Sequence, residues 1–310
     1  MKEKKIILTD IPKYCPSLLP IGYDLVKVNT KSVLDYDGNP NVEFVLCSRA
    51  LARVIQKVNF PMCKLLHLFS VGYDDINLEV FKNKEIPVCI AAGVYDNVLA
   101  EFVLWAMLLY AKRFHHSIKN RIFRPFRNYH YISEIAGKTV GIMGCGRIGS
   151  AVAKHLIGFG VTIIGYAQTT REKEGFSEIY HHDNVVDFFA KSDYIVNVLP
   201  HNQSTIGFID NELLSKCKST MTFINIGRNS IFKGDDFYYY LKAHKDTTAI
   251  LDMFEIIPNG FTNKYRRLSN VLVMPRIASI SQESDNKLKE LISENIEAVI
   301  YGTELKNRII

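Results

Sequence analysis

The stretch Gly144-Cys-Gly146-Arg147-Ile148-Gly149 has the spacing with which a backbone can hold a pyrophosphate. Glycine is needed three times: for a tight turn, for close approach of phosphate to the main chain, and for helix–strand packing. The helix N-terminus that follows supplies free N–H groups and the positive end of a dipole. The glycine pattern alone is weak evidence, and its surroundings strengthen it. Lys138–Met143 reads as a buried strand before it, Ser150–Phe159 as a helix after it, and Val161–Tyr166 as the strand that closes the unit. The chemistry implied is dinucleotide binding. A second polar turn, Ser70-Val71-Gly72-Tyr-Asp74, follows the apolar run Leu65–Phe69. It sits at a strand's carboxyl end, where open α/β sheets place ligands.

The elements that must position these turns alternate between strand and helix. Lys5–Thr9 and Phe44–Cys47 read as parallel strands, with a helix over Ala50–Val58, and Leu65–Phe69 and Pro87–Ile90 continue the pattern. From Gly137 onward six strands are predicted: Val140–Met143, Val161–Tyr166, Tyr194–Leu199, Met221–Ile226, Thr248–Asp252 and Val271–Met274. Helices between them make a doubly wound sheet. Gln282–Tyr301 is an amphipathic helix that could return the chain to the first domain. Val98–Ala111 is almost wholly apolar yet too short to span a bilayer, so it is expected in a core or against a partner subunit. The Arg-, His- and aromatic-rich segment Arg113–Tyr131 reads as an arm packing on a second subunit rather than as a nucleic-acid surface.

Composition narrows the class. With 310 residues, 47% apolar and 23% charged, the chain has the profile of a soluble protein of two ordinary domains. A net charge of +6 suits small anionic ligands and is too diffuse to argue for nucleic acid. The six cysteines form no C-x-x-C pair, so no metal is expected and a reduced, cytoplasmic setting fits. The first apolar run is too short for a signal peptide, and no membrane association is expected.

The glycine fingerprint lies after a first α/β unit. It is accompanied by Leu68-Phe-Ser-Val-Gly-Tyr-Asp74, Leu99-Ala-Glu101, Phe223-Ile-Asn-Ile-Gly-Arg228, Leu251-Asp-Met-Phe-Glu255 and Val273-Met-Pro275. In this order the motifs resemble the D-isomer-specific 2-hydroxyacid dehydrogenases, of the glyoxylate/hydroxypyruvate reductase or phosphoglycerate dehydrogenase type. The resemblance implies a Rossmann-type sheet inserted into a smaller flavodoxin-like α/β substrate domain. It places the substrate domain at 1–97 plus 283–310 and the dinucleotide domain at 98–282, with a cleft at their junction and a homodimer through Val98–Tyr131. It also implies that Arg228 binds the substrate's carboxylate and keto oxygen, that the amides of Val71 and Gly72 hold the carboxylate, and that Asp252 holds the nicotinamide carboxamide. The cofactor-binding candidates are then Gly144, Gly146, Arg147, Ile148, Gly149, Thr169, Thr170, Arg171, Pro200, Gly227 and Asp252.

The chain departs from that family where protons move. Arg276 follows Pro275 where the family has its acid His, and Ile257 stands where it has the paired Glu. Arginine stays protonated, so Arg276 donates hydrogen bonds without shuttling protons. With Arg228 it is expected to make a doubly cationic pocket for a dianionic or phosphorylated ligand, the substrate class being a small anionic 2-keto or 2-hydroxy acid. His201, after Leu199-Pro200, is the substitute acid nearest by topology, and a solvent-facing loop position is its simpler reading. Asn229, where the family has Gly, is expected to tolerate a left-handed backbone. The second strand ends in Ala167-Gln-Thr169-Thr170-Arg171 with no carboxylate to repel a 2′-phosphate, which favours NADP over NAD. Two functions remain open: a 2-keto acid reductase with modified acid–base residues, in which Arg228 and Arg276 act on the substrate, or an NAD(P)H-binding regulatory protein that has lost turnover.

Overall fold

Val42–Cys47 is buried at every position, as expected of a strand covered on both faces of a parallel sheet. The same holds for the central strands Leu65–Leu68, Tyr194–Asn197, Thr222–Asn225 and Thr248–Leu251 of the two sheets in the computed structural model, which describes residues 4–113, 132–169, 172–252 and 264–310. The chain divides into two units, Met1–Tyr95 with Ile280–Ile310, and Asp96–Ser279.

In the first unit the elements are β1 (Lys5–Thr9), β2 (Tyr23–Lys27), β3 (Val42–Cys47), α1 (Arg49–Ile55), β4 (Leu65–Leu68), α2 (Leu78–Asn83) and β5 (Val88–Cys89). The five strands are parallel in the order β2-β1-β3-β4-β5, which is the flavodoxin-like order. Alternate side chains serve opposite faces. Val45, Cys47 and Leu66 pack with Leu51 and Ile55 of α1 and Phe81 of α2. Phe44, Leu46 and Leu65 pack with Leu288, Ile292 and Ile296 of the C-terminal helix Gln282–Tyr301. That helix opens on a reciprocal cap between Ser281 and Ser284 and closes on left-handed Gly302. Strand β2 was not legible in the sequence, because an edge strand with Asp24 and Lys27 in it forms no apolar run.

The second unit contains α3 (Asp96–Ala111), β6 (Thr139–Met143), α4 (Arg147–Leu156), β7 (Thr162–Tyr166), β8 (Glu178–Tyr180), α5 (Val185–Lys191), β9 (Tyr194–Asn197), α6 (Asn211–Leu214), β10 (Thr222–Asn225), α7 (Asp236–Ala243), β11 (Thr248–Leu251) and β12 (Val271–Val273). Its sheet runs β12-β11-β10-β9-β6-β7-β8, all parallel. This is the Rossmann order with a further strand at one edge. The sheet therefore has seven strands where six were expected. The extra one is β8, a three-residue edge strand that starts with Glu178. Helix α4 begins at Arg147 rather than Ser150, so the third glycine lies inside its first turn. Helix α3 buries Leu99, Val103, Ala106 and Met107, while Tyr110 donates to the Ala249 carbonyl at 2.9 Å. It is not covered all round in the single chain, since Trp105 is 40% exposed beside Phe102.

His67, in the centre of β4, is fully buried. Its Nδ1 lies 3.0 Å from the Leu68 carbonyl, which only a protonated Nδ1 can satisfy, and its Nε2 has no partner among the described residues. Burial pushes its pKa down to about 4. The folded unit resists protonating this ring, whereas the unfolded chain takes the proton near pH 6.5. Stability from this residue is therefore complete above pH ~6.5 and declines as pH falls toward 4. Urea unfolding at pH 7.5 and pH 5 should differ by about 2 kcal/mol from this source, and His67→Leu should remove that difference.

Candidate functional site

The turn between β6 and α4 is built around its glycines. Gly144 has φ +106°, and a Cβ there would meet Val198 Cγ2 at 3.0 Å. A Cβ on Gly149 would lie 1.9 Å from the Gly144 carbonyl oxygen, so the helix can seat on the turn only with glycine at that place. Gly146 is the opposite case: nothing lies within 4 Å of where its Cβ would be, and its φ of −78° is ordinary. The first intrahelical bond runs from Ser150 N to the Gly146 carbonyl at 2.9 Å. The amides of Arg147, Ile148 and Gly149 therefore precede the ladder and bond to no acceptor among the described residues. The Arg147 side chain pairs with Asp96, 3.4 Å away.

A cavity of about 240 Å³ runs from this turn to the end of β7 and across to the loop after β9. Of the residues predicted for the cofactor, Gly144, Gly146, Thr169 and Pro200 line it. Gln168 closes one side by donating to Ser204 Oγ at 2.6 Å. The open face at Gly146, the free helix amides and the absence of any Asp or Glu from the lining among the described residues fit a phosphate-bearing dinucleotide. Cys145 sits behind the turn, its thiol pushed up to about 11 by burial, and stays protonated at neutral pH. Lys173, also in the lining, donates to the Cys145 carbonyl. Thr170, Arg171, Glu255 and Ile257 lie outside the described residues, as do 114–131 of the expected dimer arm.

Arg228 and Pro200 are set by two buried asparagines that the sequence reading passed over. Asn197 ends β9 and donates to Asn225 Oδ1 at 2.9 Å, while its own Oδ1 takes the Leu199 amide at 3.1 Å. Asn225 ends β10, takes the Gly227 amide at 3.1 Å and donates to Asn229 Oδ1 at 2.9 Å. A Cβ on Gly227 would come within 2.8 Å of Asn197 Nδ2, which explains the glycine before Arg228. The only sign in the sequence was an Asn at the carboxyl end of two apolar strands. Arg228 is half-buried, with Nη1 3.3 Å from the Gly227 carbonyl. Asn229 starts a 3₁₀ turn without left-handed geometry; the side-chain bond from Asn225, rather than a tolerated positive φ, explains its presence.

The left-handed residue is Arg276, at φ +59° and exposed. Asp252, 2% exposed, accepts from the amides of Ile277 at 2.9 Å and Ala278 at 3.1 Å, one on each carboxylate oxygen. Burial raises its pKa against the pull of those bonds and of Arg276. Asp252 thus holds the backbone just after Arg276. His201 is exposed, with Nδ1 2.6 Å from Ser230 Oγ, two residues past Arg228.

In the first unit, the turn Ser70–Asp74 follows β4. Val71 and Gly72 are half-buried, and their amides bond to no acceptor among the described residues. Ser70 Oγ donates to the Gly72 carbonyl at 2.9 Å. Arg49, at the start of α1, donates to Asp75 at 2.8 Å and lies 3.8 Å from Asp74. Arg53 also pairs with Asp75. Burial raises the Asp75 carboxyl, and the guanidinium bonds from Arg49 and Arg53 outweigh it and bring the pKa below the usual range.

The two glycines at the turn separate folding from binding. Gly149→Ala should cost at least ~2 kcal/mol in urea unfolding, because backbone must move to admit the Cβ. Gly146→Ala should stay within about 1 kcal/mol of wild type while weakening dinucleotide affinity at least ~10-fold, measured by quenching of intrinsic fluorescence, because its methyl enters the phosphate approach.

With this geometry in hand, the comparisons with known proteins are direct. Residues 103–278 match the family model described as D-isomer specific 2-hydroxyacid dehydrogenase, NAD binding domain. A glyoxylate reductase of Thermofilum pendens is 30% identical over 248 residues, covering 78% of this chain and 73% of that protein. Glyoxylate/hydroxypyruvate reductase A of Arabidopsis thaliana is 25% identical over 313 residues, covering 98% of each. The crystal structure of an NADPH-dependent glyoxylate/hydroxypyruvate reductase from Sinorhizobium meliloti, in complex with NADP and malonate, shares the fold at a TM-score of 0.81. It is 24% identical and covers 99% of this chain and 97% of that one. The free helix amides, the Rossmann strand order and these matches lead to one conclusion: the chain belongs to the D-isomer specific 2-hydroxyacid dehydrogenase family and carries its nicotinamide-dinucleotide-binding domain.

Proposed function

We propose that the chain is an NAD(P)-dependent oxidoreductase that favours NADP and reduces a small 2-keto acid of the glyoxylate or hydroxypyruvate class with altered acid–base residues. The observation that carries this reading is one arrangement within the second unit. The free amides at the start of α4 follow directly on Gly144–Gly146, which line a cavity together with Pro200, and Arg228 follows the next strand end, after the Gly227 amide that Asn225 holds. Glyoxylate reductases among the relatives support the substrate class.

When bound, the nicotinamide supplies the hydride. Arg228 presents a rigid donor fork, suited to a carboxylate and to the charge that develops on a keto oxygen. The amides of Val71 and Gly72 are the assigned carboxylate donors. Arg276 adds positive charge and hydrogen bonds, and it cannot release a proton. The proton that reaches the substrate oxygen then comes from water or from another side chain. Loss of a positioned acid costs about 10²–10⁴-fold, which orientation and Arg228 partly offset. The reading assigns 1–97 plus 283–310 to the substrate and 98–282 to the cofactor, and it includes a homodimer through Val98–Tyr131. The exposed Trp105 on α3 supports that last element.

A second reading has its own observation. Both oxygens of Asp252, the residue assigned to the carboxamide, are engaged by the backbone after Arg276. With Ile257 and Arg276 in place of the Glu–His pair, this favours an NAD(P)H-binding regulatory protein without turnover.

Consumption of NADPH and NADH against a panel of 2-keto acids decides between the two, with wild type beside the Ile257→Glu/Arg276→His double variant. The reductase reading expects wild-type turnover, and a gain of about 10²-fold or more in the variant. A silent wild type with an active variant supports the regulatory reading. Silence from both overturns the substrate class.

A further inference from the structure

We propose that Lys173 distinguishes NADPH from NADH, pairing its ammonium with the 2′-phosphate at the end of β7; this rests on the NADP reading above and names the residue responsible. In dinucleotide folds, the end of the second strand is where the adenosine ribose is read. An acidic side chain there accepts from a free 2′-hydroxyl, and a cation accommodates a 2′-phosphate. Here that strand is β7, and the side chains that follow it into the cavity are Gln168, Thr169 and Lys173. None is acidic, and all three can donate to a phosphate oxygen, Lys173 alone with a charge. The nearest carboxylates in sequence, Glu172 and Glu174, are exposed and absent from the lining.

Lys173 is the only cationic side chain of the cavity lining among the described residues. Its ammonium forms no ion pair among the described residues and donates to the Cys145 carbonyl, within the glycine turn itself. An ammonium has three donors, so this bond leaves two for a second acceptor. The Cys145 carbonyl therefore anchors the ammonium beside the turn that takes the pyrophosphate. A phosphate monoester is close to a dianion at neutral pH, so removing this charge penalises NADPH and leaves NADH nearly untouched. The spacing explains why the residue was not identified in the sequence: Lys173 lies beyond the Thr169–Arg171 stretch that follows the strand, and only the turn at Lys173–Phe176 folds it back.

Equilibrium binding to the full-length protein, read by calorimetry without turnover, tests this with NADPH, NADH, 2′,5′-ADP and 5′-AMP. The variants are Lys173→Met, Lys173→Gln and Lys173→Arg. Lys173→Met should raise the Kd of NADPH and of 2′,5′-ADP at least ~10-fold, with NADH and 5′-AMP within about threefold. Lys173→Gln, which keeps a donor for the Cys145 carbonyl, should behave like Met, and Lys173→Arg should retain the preference for phosphate. Equal weakening of all four ligands would make Lys173 a brace of the glycine turn and overturn the proposal. Unchanged discrimination in Lys173→Met would overturn it as well. A wild type that prefers NADH fails the NADP reading itself, which separates that failure from an error about Lys173.

Discussion

The site in the second unit depends on one close approach, that of the Gly149 Cα to the carbonyl oxygen of Gly144. No side chain fits between them. Because they touch, α4 starts immediately after β6, its first amides precede any helical acceptor, and its dipole points into the crevice at the sheet's switch point. Gly144 pays for the turn with a positive φ, and Gly146 leaves its outer surface bare. Turn, helix and cavity follow from this single contact.

The rest of that unit's chemistry is held by buried polar side chains at strand ends. Asn197 and Asn225 replace the next rungs of the ladder with side-chain bonds, which is why β9 and β10 stop where their turns begin. Left without a partner, such a group costs ~1–3 kcal/mol, so the turns carrying Pro200 and Arg228 are fixed as firmly as the core. Asp252 does the same for the segment after Arg276 and keeps a left-handed arginine in a conformation that a free chain would rarely visit. In the first unit Arg49 and Asp75 tie the turn after β4 to the start of α1.

These supports bear on how the chain would work if, as proposed, the acid–base pair of its family is replaced. A proton donor is one part of such a site, and the electrostatic and orienting parts are built separately. Arg228 lies between Gly227 and Asn229, both of which Asn225 holds by side-chain bonds. A substitution at the acid position can therefore lower the rate while leaving ligand recognition in place, which is the condition under which both a slow reductase and a binding protein are physically reasonable.

The strands with unbroken apolar runs, the glycine turn, the C-terminal helix and the family itself were legible from residue order, because each is encoded by local spacing. The expected replacement of the family's His and Glu by Arg276 and Ile257 is likewise a reading of residue order alone. Strands β2 and β8 were not legible, because an edge strand is defined by its neighbour rather than by its own hydrophobicity. The roles of Asn197, Asn225 and Arg49 were hidden for the same reason: a polar residue in an apolar run states that it needs a partner, and only the tertiary structure says which. Lys173 is the clearest case. Its charge was always visible, but its place in the cavity depends on a turn that brings it back to the Cys145 carbonyl, a contact between residues far apart in sequence that no local pattern records.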